Sequence, residues 1–228
     1  FCQNWTISQE EAPTLEISPR RAVDLTLSAR ARDARVVGLA YTYNEPGIWF
    51  EYVAETAGLA KGEGLVNCLV TNGFLEEAPL RELLPLVDAM NVDVKAFSPG
   101  FYRKVCKGDR EPVLRTVERA HRAGCHVEVT NLLIPGYNDS EDDIAQLVDW
   151  LAGVSPDIPL HFSRYFPNYR FTEPPTPLTT LDMAAEIARR KLRYVYLGNI
   201  WGRGSDTACP QCGQVVLQRR GLELARTF

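Results

Sequence analysis

The sequence predicts an α/β protein in which βα units repeat along the chain and lay their strands into a parallel sheet. Three observations carry this. Short runs rich in Val, Leu, Tyr and Ile alternate with segments whose apolar residues fall at helical spacing. Helix-start signals (Ser18-Pro19, Pro46, Pro79, Pro112, Ser140) precede those segments, and glycines follow several of them. The 228 residues suffice for one large core or two small ones and show no internal repeat or low-complexity tract. Crossovers between parallel strands are right-handed by default. Such units close into a full or partial barrel or lie open as a doubly wound sheet, and periodicity alone leaves both open.

The elements follow in order. A helix starts with Ser18 as N-cap and Pro19 at its first position, and runs through Ala22, Val23, Leu25 and Leu27. A strand at 35–42 follows, then a helix from Pro46 to Gly62 or Gly64. The strand 65–71 leads to a helix from Pro79 to about Asp88, and the strand 90–95 carries Asp93 and Lys95. Helix 111–123 has Pro112 near its start and Gly124 just past its end. Strand 126–134 and the turn 135–139 precede Ser140, which with Asp143 resembles a capping box for a helix to about Leu151. Strand 159–165, a Pro-rich loop at 167–177, helix 180–192 and strand 194–198 complete the alternation. The stretch 206–221 reads as a short hairpin on a cysteine knuckle, so the chain is divided into a body, 1–200, and a terminal hairpin, 201–228.

The chain is 45% hydrophobic and 24% charged, with a net charge of -4 and a pI of about 5.5. No basic face calls for nucleic acid, and the run Arg189-Arg190-Lys191 reads as a solvated helix end that complements the dipole. No apolar run approaches the ~20 residues that cross a bilayer. With no export signal, a cytoplasmic location is expected, and the six cysteines point to thiols or metal ligands over disulfides.

The C-terminal ends of the strands are where βα barrels build their chemistry. Here they carry Asn44-Glu45, Thr71-Asn72, Asp93 and Lys95, Thr130 and Asn131, His161 with Ser163 and Arg164, and Asn199. Strand ends lie near the surface and collect polar residues anyway. The mixture of both charges with amides nevertheless suits a zwitterion: carboxylates accept from an ammonium, cations pair with a carboxylate, and Asn reaches hydroxyls.

Among the cysteines, Cys68 reads as a core thiol, and Cys106 and Cys125 are isolated and structural. Cys209 and Cys212, in Cys-Pro-x-Cys-Gly, form half of a zinc-knuckle site that needs two further ligands from elsewhere. Cys2 stands in Phe1-Cys2-Gln3-Asn4-Trp5-Thr6-Ile7-Ser8-Gln9. This resembles the end of the C-x-x-x-C-x-x-C cluster loop of radical S-adenosylmethionine (SAM) enzymes, in the form found in the AmmeMemoRadiSam system, relatives of the pyruvate formate-lyase activating enzymes. The likeness continues through Tyr41-Thr-Tyr-Asn-Glu-Pro, Val70-Thr-Asn-Gly-Phe, Asn91-Val-Asp-Val-Lys, Leu133-Ile-Pro-Gly-Tyr-Asn-Asp, Leu160-His-Phe-Ser-Arg-Tyr-Phe-Pro and the terminal Cys-Pro-x-Cys-Gly.

The resemblance implies a partial (β/α)6 barrel of the TIM type. A chain that opens on Phe1 then lacks the strand before the cluster loop and most of that loop. It implies a [4Fe–4S] cluster with Cys2 as its third ligand, SAM chelated to the open iron, and a 5′-deoxyadenosyl radical that abstracts hydrogen. Glu45, preceded by Asn44, is expected to accept from the SAM ammonium. Asn72, Asp93 and Lys95 are expected to line its pocket, with Thr130, Asn131 and Arg164 at the ribose and carboxylate. The expected partners are an electron donor such as flavodoxin or ferredoxin, a small-molecule or protein-glycine substrate, and the partner proteins of the AmmeMemoRadiSam system. Val70 departs from the Asp of the activating enzymes, and Phe166 from a frequent His.

Two other readings remain. A retaining glycosidase could use Asn44-Glu45-Pro46, but needs a second carboxylate ~5–5.5 Å away, and Glu128 lies inside its strand. A zinc-stabilised binding domain would explain Cys209 and Cys212 but not the charged strand ends.

Overall fold

The structure, a computed structural model, describes residues 4–220 and 223–228. Six parallel strands follow one another in the order β1-β2-β3-β4-β5-β6. They are Gly38–Tyr41 (β1), Val66–Thr71 (β2), Ala89–Asp93 (β3), His126–Leu133 (β4), Leu160–Arg164 (β5) and Val195–Gly198 (β6). The helices are Trp5–Gln9 (α1), Pro19–Arg32 (α2), Phe50–Gly62 (α3), Glu77–Leu83 (α4), Pro99–Phe101 (α5), Glu111–Arg122 (α6), Glu141–Val154 (α7) and Leu178–Arg189 (α8). The alternation of helix and strand is therefore as expected. No helix among the described residues is long and apolar enough to cross a membrane.

The chain folds into two compact units, one of Phe1–Val92 with Glu111–Val127 and one of Asp93–Arg110 with Glu128–Phe228. In the first, α3 buries Val53, Thr56, Ala57 and Ala60, and α6 buries Val113, Thr116, Val117 and Ala120. Both sets follow i, i+3, i+4, i+7, the stripe one helix face presents to a sheet. Val23 of α2 packs into a cluster with Ala60 and Leu65. Asn67 is fully buried yet satisfied: its side chain accepts from Tyr41 Oη (2.9 Å) and donates to the carbonyls of Ala57 and Leu86. In the second unit the same spacing recurs in α7 (Ile144, Leu147, Val148, Leu151) and α8 (Leu181, Ala184, Ala185, Ala188). Small residues on α8 let its backbone approach β5 and β6.

Several boundaries differ from the sequence reading. The helix expected from Pro79 begins at Glu77, so Pro79 occupies its third position, where a missing N–H costs nothing. Pro85 then ends α-helical pairing and the chain continues as a short 3₁₀ turn, Leu84–Leu86. β3 stops at Asp93 and leaves Lys95 beyond the strand. The tail is a three-stranded antiparallel sheet, Thr207–Ala208 (β7), Val215–Arg220 (β8) and Glu223–Thr227 (β9), not a hairpin. Cys68 is half-buried where a core thiol was expected, and Cys125 is buried, its thiol pushed up to about 12 by desolvation.

Candidate functional site

In the first unit the polar groups after β1 and β2 form one hydrogen-bonded assembly around Glu45. Oε1 accepts from the amide of Gly47 (3.0 Å) and from Thr71 Oγ1 (2.6 Å), and Oε2 accepts from the amide of Asn72 (2.6 Å). A carboxylate offers about four lone-pair positions, so the three donors orient Glu45 and leave room for one more. The loop that delivers them is itself fixed. Thr71 Oγ1 accepts from the amide of Gly73, Asn72 Oδ1 accepts from the amide of Phe74 (2.8 Å), and Thr116 Oγ1 donates to the carbonyl of Gly73 (2.7 Å). Gly73 is required here twice over: its φ is +70°, and a Cβ would lie 2.7 Å from Val92 Cγ1. Asn44, before Glu45, is exposed, as is the side chain of Val70.

In the second unit Asp93 and Lys95 pair with each other, Nζ to Oδ2 at 2.6 Å, with side chains 35% and 36% exposed. Their pairing neutralises both charges in the absence of a ligand. The backbone that carries Lys95 is bonded on every side. Its amide donates to Tyr102 Oη (3.1 Å), its carbonyl accepts from Asn138 Nδ2 (2.6 Å), the amide of Val94 donates to the carbonyl of Thr130 (2.9 Å), and the carbonyl of Val94 accepts from Asn131 Nδ2 (2.8 Å). Burial pushes the Tyr102 phenol up, against the opposing hydrogen bond from Lys95.

The remaining expected residues divide. Thr130 lies on the half-exposed side of β4. Arg164 is oriented by its own chain, with Nε donating to the carbonyl of Thr176 (2.8 Å) and its guanidinium 4.8 Å from the centre of the Phe166 ring. Asn131 stands apart from Thr130. Strand alternation turns it to the side opposite Thr130, where it is 2% exposed and serves Val94, its Oδ1 buried without a partner among the described residues. Cys2 lies outside the described residues. Among the described residues no group of three or more His, Cys, Asp and Glu could hold a metal.

At the tail, Cys209 and Cys212 face each other across a knuckle turn. The amide of Gly213, at φ +73°, donates to the carbonyl of Cys209 (2.8 Å), and the amide of Cys209 donates to the carbonyl of Gln214 (2.8 Å). Hydrogen bonds from the amides of Cys212 and Gln211 and from the Cys212 side chain lower the Cys209 thiol. The sequence places Thr71 among the strand-end polar groups but assigns no role to it, to Gly73, or to Tyr102 and Asn138. The first two flank Asn72 in one motif and could have been assigned with it. Tyr102 and Asn138 act across loops that no local pattern connects.

Residues 1–151 match the Radical SAM superfamily. The chain belongs to that family. Members of the radical SAM superfamily use a [4Fe–4S] cluster and SAM. Among the relatives, the uncharacterized protein MJ0808 of Methanocaldococcus jannaschii is 42% identical over 225 residues, covering 96% of this chain and 65% of that protein. The (2S)-3-sulfopropanediol dehydratase activating enzyme of Klebsiella oxytoca is 22% identical over 114 residues, which is 50% of this chain and 36% of that one. The chain thus spans less than two thirds of the length of either relative. A solved domain of a pyruvate-formate lyase-activating enzyme from Bacteroides vulgatus superposes with a TM-score of 0.61 at 18% identity, covering 71% of this chain and 99% of that domain. SuiB of Streptococcus suis bound to SAM gives a TM-score of 0.66 at 11% identity, over 83% of this chain and 45% of that one. These likenesses support the radical SAM fold, a partial barrel of parallel βα units.

Proposed function

We propose that this radical SAM chain binds SAM with Glu45 as acceptor for the SAM ammonium, and that it belongs to the AmmeMemoRadiSam group. The observation that carries the SAM assignment is the Glu45 assembly. Three donors hold the carboxylate and leave one acceptor position, which matches a single N–H of an ammonium. Asn44 precedes Glu45 in sequence, and Asn72 lies beside it in space through its amide. By the resemblance, Asp93, Lys95, Thr130 and Arg164 contribute further contacts, Lys95 by exchanging its partner Asp93 for a ligand carboxylate.

Cys2 is proposed as one of three cluster ligands, the other two coming from sequence before it. When bound, the cluster and SAM supply a 5′-deoxyadenosyl radical for hydrogen abstraction. The protein's own residues bind and orient SAM. The activating-enzyme relative favours a role like that of a glycyl-radical activase, with a protein glycine as substrate, and the group assignment favours a small molecule. A flavodoxin or ferredoxin would supply the electron, in the cytoplasm. We further propose residues 201–228 as a separate zinc-knuckle element, with Cys209 and Cys212 as two of four ligands.

The test uses the full-length protein, reconstituted anaerobically. It is expected to hold four irons and four sulfides, as a [4Fe–4S] cluster requires, and to bind SAM in calorimetry. Glu45→Gln removes one charge-assisted acceptor worth about 1.5–3 kcal/mol, so SAM affinity falls about ten- to a hundredfold. Unchanged SAM affinity in Glu45→Gln, or failure of the wild type to take up iron, overturns the assignment.

A further inference from the structure

β3 ends at Asp93, and residues 94–97 lie beyond it. Val94 and Ala96 are nevertheless fully buried, and buried backbone groups need partners. The amide of Val94 donates to the carbonyl of Thr130 on β4 (2.9 Å). Side chains make the bonds that follow. Asn131 Nδ2 donates to the carbonyl of Val94 (2.8 Å), Tyr102 Oη accepts from the amide of Lys95 (3.1 Å), and Asn138 Nδ2 donates to the carbonyl of Lys95 (2.6 Å). Asp143 accepts from the amide of Phe97 (3.4 Å), and Arg110 donates to its carbonyl. The segment is thus held without strand pairing, and Lys95 is its one charged residue.

Tyr102 stands apart among these side chains. Asn138 also holds its own turn, accepting from the amide of Ile134 (2.7 Å) and donating to the carbonyl of Leu132 (2.9 Å). The oxygen of Tyr102 serves the Lys95 amide. Tyr102 is 3% exposed, and a Phe ring would fill the same space without burying a hydroxyl. Its place is set by a π-helical turn, Tyr102–Cys106, in which the amides of Lys107 and Gly108 donate to the Tyr102 carbonyl. Lys107 closes the turn at φ +60°, a left-handed conformation that is unfavourable for lysine and persists where its surroundings impose it. π-helical turns are rare and recur at functional sites.

The ammonium of Lys95 meets Asp93 Oδ2 at 2.6 Å, with both side chains about one third exposed. A lysine side chain loses much rotamer freedom when its head group is held. Anchoring the backbone removes the main-chain part of that cost before a ligand arrives. We propose that Tyr102 is a positioning residue for Lys95: its phenol oxygen holds the Lys95 amide, so that the ammonium swings about one fixed Cα from Asp93 to the carboxylate of SAM. The inference rests on the reading of Lys95 as a SAM contact and deepens it, since it names what aims that contact.

The full-length protein, reconstituted anaerobically, carries the test in four forms: wild type, Tyr102→Phe, Lys95→Ala and the double variant. SAM affinity is read by calorimetry. Lys95→Ala is expected to lower it about ten- to a hundredfold, the loss of a charge-assisted contact. Tyr102→Phe keeps the ring and is expected to lower it about three- to tenfold. In the Lys95→Ala background the same change lowers it no further, because the group that Tyr102 aims is gone. Any loss of stability from Tyr102→Phe is common to both backgrounds and cancels in the comparison. Unchanged affinity in Tyr102→Phe, an equal fall in both backgrounds, or loss of the cluster in Tyr102→Phe overturns the inference and leaves the phenol a packing residue. Unchanged affinity in Lys95→Ala overturns the reading of Lys95 and the inference with it, while Glu45→Gln still judges the SAM site by itself.

Discussion

Asp143 shows how a local signal and a distant partner compete for one side chain. Ser140 caps α7 as its sequence requires, its hydroxyl accepting from the amide of Asp143. A full capping box would turn the Asp143 carboxylate back to the amide of Ser140. Instead it accepts from the amide of Phe97 (3.4 Å) and from that of Ser98, on the segment that follows Lys95. Burial raises the Asp143 carboxyl above its usual value of 3.8, and those two amides only partly oppose the shift. A carboxyl with a raised folded-state pKa binds its proton more tightly when folded. Its contribution to stability is therefore complete below 3.8 and is lost as pH rises through the folded value. Asp143→Asn keeps an acceptor and removes the titration. The urea midpoint of the wild type is thus expected to fall relative to that of Asp143→Asn as pH rises from about 4 to 7. A wild type that gains on the variant over that interval would contradict the sign.

At the scale of elements, the parts legible in the sequence are those set by short-range chemistry. The stripes of α3, α6, α7 and α8, the caps Ser18 and Ser140, and Gly124 at φ +83° all follow from neighbours within one or two turns. Less legible were elements too short or too exposed to show an apolar pattern: α1, α5 and the π-helical turn Tyr102–Cys106 after it, and β9. The same division holds for the site. Glu45 and Asn72 stand in short motifs visible in the local sequence, whereas the burial of Asn131 follows from strand alternation and its hydrogen bond to the distant Val94 carbonyl. The β2–α4 connection offers the sharpest test at this scale. Gly73→Ala places a methyl group 2.7 Å from Val92 Cγ1 at φ +70°. A cost of about 1–3 kcal/mol is expected from the backbone alone, read as a lower urea midpoint. Because Thr71 and Asn72 hold Glu45, SAM affinity should fall in the same variant. A Gly73→Ala protein as stable as the wild type would show that the turn relaxes freely.

At the scale of the whole molecule, the knuckle falls two ligands short of a structural zinc site among the described residues. Structural zinc is bound by four ligands, with thiolates at about 2.3 Å, and Cys209 with Cys212 supplies two. Cys68, Cys106 and Cys125 lie in or beside β2, the π-helical turn and β4, and none joins a group of three or more ligands among the described residues. The amides of Gln211 and Cys212 already favour the Cys209 thiolate, the form that binds metal. The chain spans 65% of the MJ0808 protein, so a homologue of that length has about a third of its residues outside the region aligned here. We expect the missing pair of ligands to come from that part, which ties a segment distant in sequence to the β7–β9 sheet. Metal binding would then stabilise the joined segments and leave the chemistry of the strand ends alone. The full-length protein, freed of its iron–sulfur cluster, is expected to retain one zinc per chain. The double variant Cys209→Ser, Cys212→Ser should lose it, with the loss seen as earlier protease cleavage in residues 201–228. Zinc retained by the double variant, or no zinc in the wild type after cluster removal, would defeat the four-ligand reading and leave the knuckle as a turn held by its own amides.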